Sequence, residues 1–173
     1  MLYLMIPSDL EAGARGLFWP EPEPDPARTD LIGWEADMDA WSGDDIVGAV
    51  DPWFLATARL CEAIRAAELT GLRIGIVANV TYTATGKVLA SLGELAEKEL
   101  PDFYIVVPER QVDVRSVDGD DDGIGRDDDL RYDRWLGDDF SYSRWGPVVS
   151  DRALKVLQAY RVDDCQFWRL APN

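Results

Sequence analysis

The segment Asp138–Leu170 has the sequence DDFSYSRWGPVVSDRALKVLQAYRVDDCQFWRL and carries the clearest structural pattern of the chain. A short apolar run precedes Ser150, whose hydroxyl can accept a hydrogen bond from a free amide in the first turn of a helix. Leu154, Leu157 and Tyr160 follow at three-residue spacing, which is typical of one helical face. An acidic pair and the run CQFWRL then predict a turn and a closing strand. Strand, capped helix, turn and strand together predict a packed terminus that contains both kinds of element.

Further stretches of the chain have the composition of β-strands, because they are rich in β-branched and aromatic residues. They are residues 1–6, 72–83, 103–107 and 111–117, and residues 31–36 could form a short additional strand.

Two more helices are expected between these strands. The first covers Trp53–Leu69, because Asp51 is a good N-cap and Pro52 suits the first helical position. The second covers Lys87–Glu99, where apolar residues recur at helical spacing until Pro101 ends the pattern. With the C-terminal helix, the sequence predicts an α/β or α+β fold with a mixed sheet and about three helices packed on it.

Length and composition favour one domain over residues 1–173, because 173 residues with 47% apolar side chains can bury a sizeable core. Two stretches are expected to be surface loops: the proline- and acid-rich residues 19–28 and the acidic residues 118–129. The chain has no apolar run long enough to cross a bilayer, and its two cysteines do not form a disulfide framework. A cytoplasmic location is the simplest expectation.

The net charge of −16 is unevenly distributed. Residues 1–50 carry eleven acidic and two basic side chains, and residues 109–145 carry twelve acidic and six basic ones. Such a chain would be repelled by nucleic-acid backbones and by anionic membranes, and it would attract a basic protein. The alternative is that the acidity only keeps the protein in solution.

The chain contains no histidine, which limits the chemistry it could perform. Catalytic triads, histidine-based acid–base catalysis and ordinary zinc sites are excluded. No phosphate-binding glycine loop is present either. Only paired carboxylates would remain for an enzyme, and no tuned pair stands out among 33 acidic residues. We therefore expect neither catalytic activity nor a cofactor.

The acidic loop partly matches the spacing of a calcium-binding loop. Asp118, Asp120, Asp122 and Asp129 fall at positions 1, 3, 5 and 12, and a glycine occupies position 6. Alternate side chains in that pattern converge on one cation. The match departs from the pattern because Asp129 is short for bidentate binding and the flanking segments do not look helical. Calcium binding therefore stands as the alternative to a solvated or partner-binding loop.

Three short elements of the chain resemble a family of bacterial immunity proteins, which neutralise polymorphic toxins in the producing cell. The C-terminal element "vvS-(D/E)-R…vL…vef" is matched by Val148, Val149, Ser150, Asp151, Arg152, Leu157 and Phe167. A second element, "LPdFY", is matched by Leu100–Tyr104, and a third, "LTGLRI", by Leu69–Ile74. The resemblance covers about residues 51–170 and leaves the first fifty unmatched.

The resemblance implies that the partner is a cognate toxin domain encoded by the adjacent gene, and the acidity argues against nucleic acid and membranes as partners. Charge and aromatic content then suggest the contacts, because tryptophan among charged residues is common in binding hot spots. The candidate toxin-binding residues are Asp118, Asp120, Asp121, Asp122, Asp127, Asp128, Asp129, Asp133, Trp135, Asp138, Asp139 and Trp145.

Two alternatives stay open for these residues. The tryptophans could instead pin long loops onto the body of the protein. The acidic surface could instead mimic nucleic acid and inhibit a basic protein of the host or of a phage.

Overall fold

The computed structural model describes residues 1–7, 14–18, 34–38, 41–49, 52–93, 99–117 and 129–173. In chain order, these residues form strands β1 (Leu2–Ile6), β2 (Ala14–Phe18), β3 (Trp34–Met38), β4 (Ile46–Gly48) and β5 (Phe54–Thr57), helix α1 (Ala58–Ala66), strand β6 (Leu72–Tyr82), helix α2 (Ala84–Leu92), and strands β7 (Phe103–Pro108), β8 (Asp113–Ser116), β9 (Leu130–Asp133), β10 (Phe140–Ser143) and β11 (Gly146–Ser150), followed by helix α3 (Asp151–Leu157) and strand β12 (Gln166–Pro172).

The first sheet has the strand order β10-β11-β1-β12-β9-β8. Its pairs are antiparallel except β12 with β9. The sheet curls, because the segment just before β8 reaches back to β10: the amide of Val112 donates to the carbonyl of Tyr142 at 2.8 Å, and the amide of Tyr142 donates to the carbonyl of Arg110 at 2.8 Å. Leu2, Leu4 and other alternate residues fill the inside of the curl.

The second sheet has the order β2-β3-β6-β7-β5-β4, again with one parallel pair, β3 with β6. Strand β7 lies in its interior and alternates between two cores: Val106 faces the core shared with the first sheet, while Ile105 and Val107 face the opposite side. Both faces of the strand are therefore buried, which explains its continuous apolar sequence.

A shared core joins the two sheets to helices α1 and α3. Met5 and Val149 from the first sheet and Phe54 from the second lie in it with the apolar faces of both helices. The rings of Phe54 and Phe140 stack with centroids 6.2 Å apart. The predicted α+β class, with a mixed sheet and three helices in the described residues, is confirmed, and the strands divide into two sheets.

The predicted helix Trp53–Leu69 is wrong in its first part. Residues Phe54–Thr57 form strand β5, which pairs with β4 and β7, and the helix begins only after the N-cap Thr57. Pairing on both edges of the strand, with all four side chains buried, outweighs the local Asp-Pro signal. Strands β1, β6 and β7 and the C-terminal β11–α3–β12 unit lie where the sequence predicts them.

The loop at residues 19–28 and most of the acidic loop, residues 118–128, lie outside the described residues. Within the described part of the chain, no helix has the length and apolar character needed to cross a membrane.

Candidate functional site

The acidic loop of the sequence is the connection of the β8–β9 hairpin. Its two ends are held together, because the amide of Val117 donates to the carbonyl of Asp129 at 3.0 Å. Six of the candidate residues belong to this connection and lie outside the described residues: Asp118, Asp120, Asp121, Asp122, Asp127 and Asp128. The hairpin therefore places the start and the end of a strongly acidic segment at one point of the first sheet.

The strands of this hairpin carry balanced charges. Asp113 lies opposite Asp133, and Arg115 lies opposite Arg131, so like charges face each other across the strands. Ion pairs offset the repulsion: diagonally across the strands, Arg115 Nη2 lies 3.5 Å from Asp133 Oδ2, and along the same side of the hairpin, Arg131 Nη2 lies 2.8 Å from Asp129 Oδ2. Asp129 is exposed and Asp133 is partly buried, and both are paired with arginines.

This balance extends over the described part of the molecule. The described residues carry 17 acidic and 14 basic side chains, whereas the remaining segments carry 16 acidic and three basic ones. Nearly all of the net charge of −16 therefore belongs to segments that are joined to an almost neutral body. A positively charged partner would be drawn to those segments rather than to the body.

Asp139 lies inside the fold, with 6% of its surface exposed. Its carboxylate accepts hydrogen bonds from Ser150 Oγ at 2.7 Å, from Arg152 Nη1 at 2.8 Å and from the amide of Thr70 at 3.1 Å. Ser150 Oγ also accepts from the amide of Ala153 at 3.1 Å, which is the predicted N-cap of α3. These bonds give Asp139 a role in holding α3 against the α1–β6 turn.

The remaining candidates sit at the edge of the first sheet's interior. Trp135 and Trp145 are partly buried against the core inside the curled sheet. Trp135 Nε1 donates to the carbonyl of Asp138 at 2.9 Å, and the Arg144 guanidinium lies 4.4 Å from the Trp145 ring centroid. Asp138 itself lies 3.4 Å from Arg110 Nε. Trp135 thus fastens the segment before β10 to the sheet, as the alternative interpretation expects for the tryptophans, while Trp145 packs on the same core from the β10–β11 turn.

A second cluster, which the sequence did not indicate, surrounds Asp44 and Asp45 in front of β4. Asp45 is fully buried, and its carboxylate accepts from Thr57 Oγ1 at 2.5 Å, from Arg59 Nε at 2.6 Å and Nη2 at 2.8 Å, and from the amide of Arg161 at 3.0 Å. Asp44 is 1% exposed, and its Oδ2 accepts from the amide of Asp164 at 2.7 Å. The pair fastens the segment after α3 to the second sheet.

Burial changes the acid–base behaviour of this cluster. Removal from water raises the pKa of Asp44, whose Oδ1 has no hydrogen-bond partner among the described residues. The nearest cation, Arg161 Nε, lies 3.6 Å from that oxygen. The hydrogen bonds from Arg59 to Asp45 raise the pKa of Arg59, so this guanidinium stays charged.

An open groove of about 1030 Å³ lies beside the cluster. Its lining includes Trp41, Arg59, Tyr160 and Arg161, with Glu99 also present. Trp, Tyr and Arg are the residue types most enriched where binding energy concentrates. No local signal in the sequence could have found this groove, because its residues come from four separate segments: before β4, at the start of α1, before β7 and after α3.

The described residues bear on two further chemistries, thiol catalysis and metal binding. Cys61 and Cys165 are buried, and burial raises the pKa of Cys61 to about 12 and raises that of Cys165 as well, so neither thiol is an activated nucleophile. No three His, Cys, Asp or Glu side chains in the described ranges are grouped to hold a metal ion. Asp129, at position 12 of the calcium pattern, accepts a hydrogen bond from Arg131 Nη2 at 2.8 Å, and the other positions of the pattern lie outside the described residues.

Neither the models of known protein families nor the curated proteins compared with this chain match it.

Proposed function

We propose that this protein is a cytoplasmic immunity protein, which binds a cognate bacterial toxin domain encoded by the adjacent gene and blocks it stoichiometrically. The observation that carries the proposal is the separation of charge. The acidic segment 118–128 leaves and rejoins a nearly neutral body at the closed base of the β8–β9 hairpin. A concentrated negative charge on one connection is suited to a basic protein surface.

The residues that resemble immunity proteins build the fold rather than the surface that would contact the toxin. Ser150 and Arg152 of the C-terminal element bind the buried Asp139, and Phe103 of the "LPDFY" element begins β7 and packs in the core. These residues build the fold. Within one fold the exposed connections can differ from member to member, so the toxin-specific contacts would lie outside the matched elements.

The proposed mechanism is electrostatic steering followed by occlusion. Toxins that act on nucleic acids or nucleotides need basic clefts. The carboxylates of residues 118–128 would accelerate the encounter and then occupy the place of substrate phosphates. Neither nucleic acid nor a membrane is a partner in this mechanism, because both carry negative charge.

The first test is binding of the full chain to the C-terminal domain of the protein that the neighbouring gene encodes. A tight one-to-one complex that also abolishes the toxicity of that domain is expected. A recognisable toxin domain that the chain neither binds nor inhibits would refute the proposed function.

A second test measures the association rate after Asp120, Asp121 and Asp122 are changed to lysine. The rate and its salt dependence should both fall, since steering scales with the charges involved and is screened by salt. The matched control changes the exposed Glu62, Glu68 and Asp102 to lysine, which alters the net charge equally. Equal effects of the two variants would show that only total charge matters.

The acidic nucleic-acid mimic remains the second candidate, and the same charge separation favours it. A mimic would bind many basic proteins with similar affinity, whereas an immunity protein should bind one partner far more tightly than the others. A panel of unrelated basic nucleases distinguishes the two.

Calcium binding is tested by thermal unfolding with calcium and with a chelator. A ligand that binds the native state must raise the melting temperature, so an unchanged melting temperature would remove this alternative.

A further inference from the structure

The groove beside Asp44 and Asp45 is lined by two guanidiniums, those of Arg59 and Arg161. Asp45 is fully buried, and both of its carboxylate oxygens are already engaged by hydrogen-bond donors. Arg59 gives Nε and Nη2 to Asp45, while 63% of its side chain stays exposed. Its Nη1 therefore remains for a ligand in the groove.

Arg161 supplies a second guanidinium, and a glycine makes room for it. Gly43 has φ +91°, and a Cβ at that position would lie 2.5 Å from Arg161 Nη1. Arg161 Nε lies 3.4 Å from Asp163 Oδ2 and 3.6 Å from Asp44 Oδ1. Both distances exceed a usual N–H···O bond, so the surrounding charges hold this guanidinium in place without saturating its donors.

Aromatic surfaces flank the two guanidiniums. Trp41 is fixed by the hydrogen bond from its Nε1 to the carbonyl of Asp44 at 2.9 Å, and its ring meets Phe103 edge-on with centroids 5.9 Å apart. Tyr160 follows α3 and lines the same groove. Positioned donors beside rigid aromatic surfaces suit a carboxylate that is carried next to an apolar side chain.

We propose that this groove is a second recognition site, which takes one acidic side chain and its apolar neighbour from the toxin domain. The inference rests on the proposed function, because the toxin domain is the occupant. The free donors, rather than the net charge, select a single carboxylate: two guanidiniums offer donors, while Glu99 in the lining, the exposed Asp163 and the buried aspartates would repel a run of acids. The toxin residue bound in the groove would therefore be acidic, whereas the toxin surface that meets the segment 118–128 would be basic.

The test compares dissociation rates of the toxin-domain complex. In the double variant Arg59→Lys and Arg161→Lys, the positive charges beside Asp44 and Asp45 remain, but the planar donor pairs are lost. The dissociation rate should rise about ten- to a hundredfold, as for the loss of hydrogen bonds to a charged group, with the association rate nearly unchanged. Arg169→Lys, on the exposed side of β12, is the matched control and should leave both rates unchanged.

A second variant, at an aromatic residue that lines the groove, tests the proposal even if the lysine variant does not fold. Tyr160→Ala should also raise the dissociation rate, and its melting temperature shows whether it is folded. If the wild type binds and both folded variants dissociate at the wild-type rate, the groove is not a contact and the proposed function stands. If the wild type does not bind, the proposed function fails and the groove proposal fails with it.

Discussion

The buried aspartates 44 and 45 are adjacent in sequence but stand in different chemical situations. Asp45 has donors on both oxygens, including a guanidinium, whereas Asp44 has one short hydrogen bond and one oxygen without a hydrogen-bond partner among the described residues. Burial of a carboxylate costs stability unless its partners replace the lost water. Asp45 should therefore stabilise the fold, and ionised Asp44 should weaken it.

Replacing Asp45 with asparagine should lower the free energy of unfolding by about 2–3 kcal/mol, because the Arg59 bond pair loses its charge and faces an amide. The loss stays below that of a fully buried pair since 63% of the Arg59 side chain is exposed. Urea unfolding measures it. Asp163→Asn, at a side chain that is 77% exposed, should change stability by less than about 0.5 kcal/mol. Equal losses in the two variants would contradict the assigned role.

Asp44 predicts a dependence of stability on pH. Its pKa in the folded protein is raised above the ordinary 3.8, so the unfolded chain ionises first as pH rises. The contribution of Asp44 to the free energy of unfolding therefore falls with rising pH, through the interval between 3.8 and the raised folded value. Asp44→Asn removes this loss. Its stability relative to the wild type should increase from about pH 4 to pH 7, and parallel stability curves would disprove the prediction.

At the scale of elements, the turns decide how the helices meet the sheets. Gly71, between α1 and β6, has φ +80° and contacts the β10 hairpin so closely that a Cβ would overlap the carbonyl oxygen of Phe140 and lie 2.6 Å from Asp138 Cβ. The segment needs glycine for its backbone conformation and for space. The predicted first helix, Trp53–Leu69, ends just before this turn, and the observed helix α1 ends at Ala66.

Gly71→Ala should therefore destabilise the protein more than Gly93→Ala does. Gly93 also has positive φ, +76°, but a Cβ there meets no atom of the described residues within 4 Å, so it measures the backbone cost. We expect about 1 kcal/mol for Gly93→Ala and an additional 1–3 kcal/mol for Gly71→Ala from overpacking. Thermal and urea unfolding of the two variants measure the difference in their free energies of unfolding. This difference comes mainly from the steric overlap at position 71. Similar losses would show that the β10 hairpin shifts away without cost.

The sequence predicted those elements whose local pattern agrees with their environment. The β11–α3–β12 unit is marked by the Ser150 cap and an apolar helical face, and the structure contains both. Strand β5 was missed because its strand character comes from pairing with β4 and β7. Strand β7 lies far from it in sequence, and the pattern of β4 is weak. In helix α2 the local pattern predicted a helix correctly but not its burial: Val88 and Leu92 have helical spacing but are 56% and 66% exposed.

The site was less predictable than the fold for a similar reason. Among 33 acidic residues, nothing local distinguishes the buried Asp44, Asp45 and Asp139 from aspartates at the surface. Their roles depend on donors that lie far away in sequence, such as the amide of Arg161 for Asp45 and that of Thr70 for Asp139. Charge composition indicated an acidic connection, and only the topology showed that it closes the β8–β9 hairpin.

For the whole molecule, the shared core makes the two sheets depend on each other. Phe140 of the first sheet stacks on Phe54 of the second, and both are fully buried. Phe140→Ala should cost about 3–5 kcal/mol and lower hydrogen-exchange protection in β1 and β6 together. Leu136→Ala, at a side chain that is 72% exposed, is the control and should leave protection unchanged. Loss of protection in only one sheet would show that the sheets unfold independently.

The position of β1 has a consequence for how the protein is made. This strand leaves the ribosome long before both of its neighbours, β11 and β12, which lie far behind it in the chain. Its backbone groups and apolar side chains lack these partners until the two later strands have been synthesised. During that interval the unfinished chain is open to chaperones and proteases. A stop codon before β12 would leave β1 without one neighbour and send the product to degradation.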